Sequence, residues 1–344
     1  MLDITDYVLT GQCQDRELLY PLQRYRPSAG VFATGRRESL ALVLVHGVSL
    51  HKETWIPVVE HLFAMQAAAA SDTSTLVEAW AIDLATHGRA GILNEQVLLE
   101  RPDIFTGGPS AEMMQTLLRS GLISAKNICI VGHSGGGTVA ALSTVGYPLH
   151  NLPYTSMILI EPVMMNRSVY AAIATEPPRL AAIMQATKTR KDIWPSRAAA
   201  CEWLSRRQPW KRWHPRILEL FAESALRDLP TATYPDRSDG VTLSCTRVQE
   251  AFGYSRFPDT VDGLERLNEL CAVIPVHCIY GTAADVLSDS MQQSVFDVCK
   301  EKPLATITIL ENAGHFAGQE DPQRLAATIW GALKQEPRAA QCKL

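Results

Sequence analysis

Six short apolar runs organise the chain: LALVLVH (40–46), VEAWAID (77–83), NICIVGH (127–133), TSMILIE (155–161), IPVHCIY (274–280) and LATITIL (304–310). Their nearly continuous apolar character is that of strands buried on both faces of a parallel sheet, since a half-exposed strand alternates instead. Helix-compatible segments fall between them, among them TWIPVVEHLFAM (54–65), AEMMQTLLRSGLI (111–123), GTVAALSTV (137–145), SMQQSVFDVCK (290–300) and PQRLAATIWGALKQ (322–335). Strand alternating with helix predicts an α/β fold with a doubly wound, mostly parallel sheet. Ahead of it, YVLTGQCQDRELLYPLQRYRP alternates about a turn-like centre and predicts an antiparallel hairpin. Between 161 and 274 the rhythm breaks, with helical patterns, prolines and tryptophans but no convincing buried strand. A helical cap is therefore expected at 164–265, inserted before the penultimate core strand, with 1–163 and 266–344 forming the core. A length of 344 residues with 47% hydrophobic content suffices for one large core carrying an insertion.

Thirty-two Lys and Arg against 36 Asp and Glu leave a net charge of −4, which draws the whole chain neither to nucleic acid nor to an anionic membrane. The eight cysteines, at 13, 129, 201, 245, 271, 278, 299 and 342, form no CxxC pair and no metal-ligand spacing with histidine. Free thiols in a reducing compartment, and no metal, are the expectation. The acidic start MLDITDYVLTGQ lacks the basic and apolar regions of a secretion signal, and no stretch approaches 18 uninterrupted apolar residues, so a soluble, non-secreted protein is expected. The chain closes on Cys342-Lys343-Leu344, one step from the Ser-Lys-Leu peroxisomal address. A peroxisomal location, with an import receptor as partner, is expected ahead of the cytoplasm.

The third run leads directly into chemistry. Gly132-His133-Ser134-Gly135-Gly136 satisfies G-x-S-x-G at a strand-to-helix junction, where the glycines permit a strained turn that exposes the serine hydroxyl. A serine nucleophile needs a base, and His315 lies in ENAGHFAGQEDP, just after the final run. The oxyanion of acyl attack needs pre-aimed N–H donors. Gly135 follows the serine, and LVHGVSLHKETW offers a second donor at Val48 in the turn after an early strand. The remaining histidines read as core or surface residues.

The segments VHGVSLHKETW, IDLATHGRA, VGHSGGG, LIEPV and AGHFAGQEDP occur in an order that resembles the α/β-hydrolase superfamily over nearly the whole chain. HKETW, LIEPV and the closing tripeptide most resemble fungal peroxisomal α/β-hydrolases of secondary metabolism, of the mycophenolic-acid and host-selective-toxin types. The resemblance implies a Ser134–His315–acid triad and two positions for the acid. Asp285 follows the IPVHCIY strand, although the superfamily spacing Gly-x-x-Asp falls on Ala284. Glu161 ends the TSMILIE strand, where the mycophenolic-type hydrolases place an aspartate. Glu161 is the preferred acid and Asp285 the alternative. Asp83, His87 and Arg89 match a segment that mostly shapes a loop and read as structural.

Residues 188–216 of the expected cap carry nine bases against two acids, interleaved with Trp194, Trp203, Trp210 and Trp213. This is either a solvated face over packed tryptophans or a rim in which Arg206, Arg207, Lys211 and Arg212 hold the phosphates of an acyl-CoA. No groove-reading or base-stacking module accompanies the basic segment, so nucleic acid is not an expected partner. The function expected is hydrolysis of an acyl thioester in peroxisomal secondary or lipid metabolism, without cofactor. Carboxylic-ester or lactone hydrolysis is the near alternative, and a non-catalytic ligand-binding homologue is the reading from another class.

Overall fold

The structure is a computed structural model and describes residues 2–13, 15–28, 38–69, 74–101, 107–175, 179–255, 257–283, 285–300 and 302–335. The closing tripeptide, Cys342, Lys343 and Leu344, lies outside the described residues. An eight-stranded sheet is ordered β1-β2-β4-β3-β5-β6-β10-β11. Its members are β1 (Leu2–Cys13), β2 (Arg16–Pro27), β3 (Glu38–Val45), β4 (Ser74–Ile82), β5 (Asn127–His133), β6 (Ser156–Ile160), β10 (Val276–Gly281) and β11 (Thr306–Leu310). The leading hairpin joins the sheet antiparallel through β2 and β4, and the pairings from β4 through β3, β5, β6 and β10 to β11 are parallel. This is the expected α/β fold.

Side chains of the central strands divide by period two between two apolar clusters. In β3, Val43 and Val45 face one cluster while Leu42 and Leu44 face the other. In β5, Ile130 opposes Cys129 and Val131, and in β6 Met157 and Leu159 oppose Ile158 and Ile160. Both faces are buried, which is why these strands read as continuous apolar runs. Helices α1 (Ile56–Ala68) and α10 (Pro322–Leu333) cover one face; α2 (Gly107–Arg119), α3 (Gly135–Leu142), α8 (Phe257–Leu270) and α9 (Asp289–Val298) contribute to the other. The last strand departs from its sequence reading. β11 sits at the sheet edge with Ile307 and Ile309 about half exposed, so only one of its faces is buried.

Between β6 and β10 the chain forms several helices, among them α4 (Arg179–Thr189), α5 (Arg197–Ser205), α6 (Pro215–Ser224) and α7 (Arg247–Gly253). It also contains strands, which the sequence reading did not anticipate. β7 (Ile193–Trp194), β8 (Leu226–Asp228) and β9 (Val241–Leu243) make a small antiparallel sheet ordered β7-β9-β8. Two or three residues are too few to show alternation, so hydrogen bonding between distant segments, not local pattern, creates these strands. The insertion has its own apolar cluster, which includes Trp194, Trp210, Trp213 and Phe221. Helix α8 spans position 265, the end of the expected cap, and packs against α3 in the main core.

Candidate active site

Ser134 stands between β5 and α3 with φ 56° and ψ −125°, a backbone conformation that side-chain-bearing residues adopt only when the surroundings hold them. Packing does so here. A Cβ at Gly132 would meet Gly136 O at 2.5 Å, and one at Gly136 would meet Val45 O at the same distance, so the junction closes only with glycine at both places. The Ser134 N–H donates to Ile160 O at 2.9 Å, locking the turn to β6.

His315 emerges from the loop after β11, and its Nε2 lies 2.8 Å from Ser134 Oγ. Its Nδ1 lies 3.1 Å from Glu161 Oε2. A carboxylate only accepts, so Nδ1 carries the proton and Nε2 keeps a lone pair directed at the serine hydroxyl. Glu161 also has a left-handed backbone, with φ 49°, at the end of β6. Its second oxygen accepts the Gly281 N–H at 2.7 Å, which fixes the carboxylate between two strand ends. Ser134, Glu161 and His315 are all buried, so the three groups interact with little competition from water.

Asp285 does something different. Its Oδ1 accepts the backbone N–H of His315 at 2.9 Å, holding the loop instead of the imidazole. Of the two acids weighed from sequence, Glu161 therefore meets the imidazole and Asp285 meets the main chain. His133 supports the same loop from the other side, with Nε2–H donating to His315 O at 2.8 Å. Burial, then the neighbouring His315, pushes its pKa down to about 3, which keeps this ring neutral.

The loop after β3 lies against the serine, since a Cβ at Gly47 would approach Ser134 Cβ to 2.9 Å. Val48 is buried beside Gly135, whose added Cβ would meet Val48 Cγ2 at 3.6 Å. Among the described residues neither the Val48 nor the Gly135 N–H has a backbone or side-chain acceptor outside α3. His46 braces this loop by accepting the Leu84 N–H at Nε2 (3.1 Å), with Nδ1 2.7 Å from Gly47 O. Burial lowers its pKa to about 3, so it too stays neutral. Asp83, read as structural, accepts the Lys52 ammonium and N–H at 2.8 Å each and the Arg89 N–H at 3.0 Å.

The basic cap residues are scattered by comparison. Arg206, at the C-terminal cap of α5, pairs with Glu202 of that helix at 2.6 Å, and Arg207 stacks 3.9 Å above the Trp203 ring. Both are exposed, as is Lys211. Arg212 binds Glu320 at 2.9 Å and Asn312 O at 3.2 Å, tying the cap to the segment that carries His315. A cavity of about 350 Å³ lies where the 91–99 segment meets the cap, lined by Glu95, Arg227, Tyr234 and Arg247 among others, and Ser134 and His315 are not in its wall. Among the described residues no group of three or more His, Cys, Asp or Glu could hold a metal, and no helix is long and apolar enough to cross a membrane.

Sequence reasoning missed Ser49, Arg190 and Glu250. Ser49 Oγ donates to the Glu250 carboxylate, which in turn binds Arg190. The three are separated by scores of residues, and their only local signal is a serine where a tight turn ordinarily takes glycine.

The sequence matches the model of the Alpha/beta hydrolase family over residues 42–328. It is 29% identical over 206 residues to the type I acyl-CoA thioesterase mpaH of Penicillium roqueforti (strain FM164), a match taking in 58% of this chain and 42% of that protein. The Penicillium brevicompactum protein, mpaH', is 26% identical over 199 residues, with the same shares. The matched region thus spans less than half the length of these relatives. Among solved structures, the peroxisomal alpha-beta-hydrolase Lpx1 of Saccharomyces cerevisiae superposes with a TM-score of 0.75 at 16% identity, covering 98% of this chain and 92% of that one. The thioesterase domain from the curacin biosynthetic pathway does so with a TM-score of 0.63 at 16% identity, covering 97% and 100%. At these identities the structural likeness speaks to the fold alone.

Proposed function

The chain belongs to the alpha/beta hydrolase family, and from that premise we propose that it is a serine hydrolase cleaving acyl-CoA thioesters through Ser134, His315 and Glu161. One observation carries the reading: an unbroken chain from the Ser134 hydroxyl to Nε2 of His315 (2.8 Å) and from its Nδ1 to Glu161 (3.1 Å). Ser134 Oγ attacks the acyl carbonyl as His315 takes its proton, and the Val48 and Gly135 N–H groups receive the charge developing on the carbonyl oxygen. The C–S bond then breaks, and the imidazolium returns its proton to the departing thiolate. Water, deprotonated by the same imidazole, attacks the acyl-enzyme and releases the carboxylic acid and a free serine. Glu161 holds the imidazole in the Nδ1–H tautomer and stabilises the imidazolium without taking its proton.

The thioester preference rests on the similarity to the Penicillium thioesterases and on Arg206, Arg207 and Lys211, exposed cations suited to the phosphates of coenzyme A. We place this activity in secondary or lipid metabolism, and the likeness to the peroxisomal alpha-beta-hydrolase Lpx1 favours a peroxisomal location with an import receptor as partner. The testing experiment is free-thiol release from acyl-CoAs of graded chain length, run beside p-nitrophenyl esters. Thioester turnover that falls by about 10⁴-fold or more in Ser134→Ala is expected. Turnover of esters alone would move the assignment to carboxylesterase.

A further inference from the structure

Residues 47–50 form a four-residue turn closed by the Leu50 N–H on Gly47 O at 3.2 Å, with Val48 and Ser49 in its middle. Ser49 has φ 72°, and positive φ at the third position of a turn is ordinarily met by glycine or asparagine. A serine here must be held from outside, and two kinds of contact hold it. Within the core, its N–H donates to His87 Nε2 at 3.0 Å. Burial, to which the nearby Arg190 guanidinium adds, drives His87 well below its ordinary pKa, so the neutral ring can accept that bond.

The second kind comes from the cap. Ser49 Oγ donates to the Glu250 carboxylate and lies 2.7 Å from the Tyr254 hydroxyl. Glu250, on α7, is 1% exposed and grips Arg190 through both of its oxygens. Burial opposes the Arg190 charge, but the Glu250 carboxylate outweighs it and the guanidinium stays protonated. Arg190 in turn sits 5.6 Å from the centre of the Trp210 ring. The next residue of the turn, Leu50, is buried in the cap's own apolar cluster with Trp210 and Phe221. A loop that belongs to the core sheet thus has its tip fastened into the cap by one hydroxyl and one leucine.

We infer that Glu250, paired with Arg190, is a positioning residue that aims the Val48 N–H at the reacting acyl oxygen by holding Ser49 in its left-handed conformation. The oxyanion site is in this sense assembled jointly by cap and core. The inference rests on the hydrolase reading above. Because an oxyanion donor acts on charge that exists only in the transition state, loosening it lowers kcat and spares KM. A cap residue that merely shaped the substrate pocket would raise KM instead.

The experiment uses the full chain and two readouts, acyl-CoA hydrolysis and the rate at which a fluorophosphonate probe labels Ser134. Glu250→Gln leaves Arg190 without its anion and can loosen the cap, so Ser49→Gly is tested beside it; glycine suits the turn and keeps the Arg190–Glu250 pair. Both variants are expected to lose about tenfold in kcat and in labelling rate, with KM within about twofold and, for Ser49→Gly, an unchanged Tm. Wild-type rates in Ser49→Gly, or a rise in KM at constant kcat, overturn the inference. A wild-type chain that labels at Ser134 but cleaves no acyl-CoA defeats the thioesterase reading while the labelling comparison still decides the role of Glu250. A wild-type chain that does not label overturns both.

Discussion

The core sheet around Ser134 and the junction of core and cap differ in how tightly their contacts fix position. Around Ser134 the backbone is fixed by carbonyl and carboxylate acceptors at strand ends, by glycines with no room for a side chain, and by strands buried on both faces. Beside apolar packing, the cap meets that core through ion pairs: Arg216 to Glu60, Arg227 to Glu95 and Arg212 to Glu320. Packing of the first kind is short-range and specifies positions to fractions of an ångström; ion pairs near the surface contribute little energy and tolerate adjustment. The comparison teaches a division of labour in which the core fixes the geometry of Ser134, His315 and Glu161 and the cap presents a more adjustable surface. The buried link through Ser49 and Glu250 is where the two meet.

The largest expected effect tests whether the acids of the core are as sharply placed as this contrast requires. Glu161→Gln should lower kcat by roughly 10³-fold or more, because the imidazole loses the partner that fixes its tautomer. Asp285→Asn, which touches only the His315 N–H, should cost about tenfold or less and lower thermal stability modestly. Steady-state kinetics on both variants check this, and a reversal of the two would make Asp285 the acid.

A smaller effect separates the regions by pH. His46 and His133 are buried neutral with pKa values near 3, below the roughly 6.5 of an unfolded chain, so unfolding takes up protons between those limits. Stability is full above about pH 6.5 and falls as pH drops toward 3, each histidine contributing up to about 1.4 kcal/mol per pH unit. Urea midpoints at pH 7, 6 and 5 should decline accordingly, and His133→Gln should flatten the decline by one proton's worth. An unchanged slope in that variant would show that the ring is not held neutral.

The smallest effect lies in the cap. Reversing charge at Arg206 and Arg207 should raise KM for acyl-CoA about three- to tenfold, as expected for exposed phosphate contacts, and leave KM for a neutral ester unchanged. Equal effects on both substrates would make these arginines a solvated face.

Much of the core is legible without a structure. The parallel strands announce themselves as continuous apolar runs because both faces are buried, and G-x-S-x-G at a strand end points to Ser134 because a Cβ at Gly132 or Gly136 would lie 2.5 Å from a neighbouring carbonyl oxygen. Less legible was the acid, since Glu161 and Asp285 both end strands or follow them. The decision comes from register: β10 lies parallel to β6 with Ile279 opposite Ile160, which brings the Gly281 N–H onto one Glu161 oxygen and leaves the other for His315. No local pattern encodes a cross-strand register.

The break in the strand rhythm after β6 is legible in the sequence, but the short strands within that segment are not. Its strands of two and three residues owe their existence to partners such as Thr242, which pairs with Ile193 on one side and Arg227 on the other. By itself, then, the sequence determined the α/β architecture, the serine and its histidine, because periodicity and glycine spacing are local consequences of burial and backbone geometry. Which carboxylate meets the imidazole, which cations are already spent on ion pairs, and how Ser49 of the core reaches Glu250 of the cap were decided only by the tertiary structure. Those are contacts between residues far apart in the chain, and their energies depend on a proximity that composition and spacing do not carry.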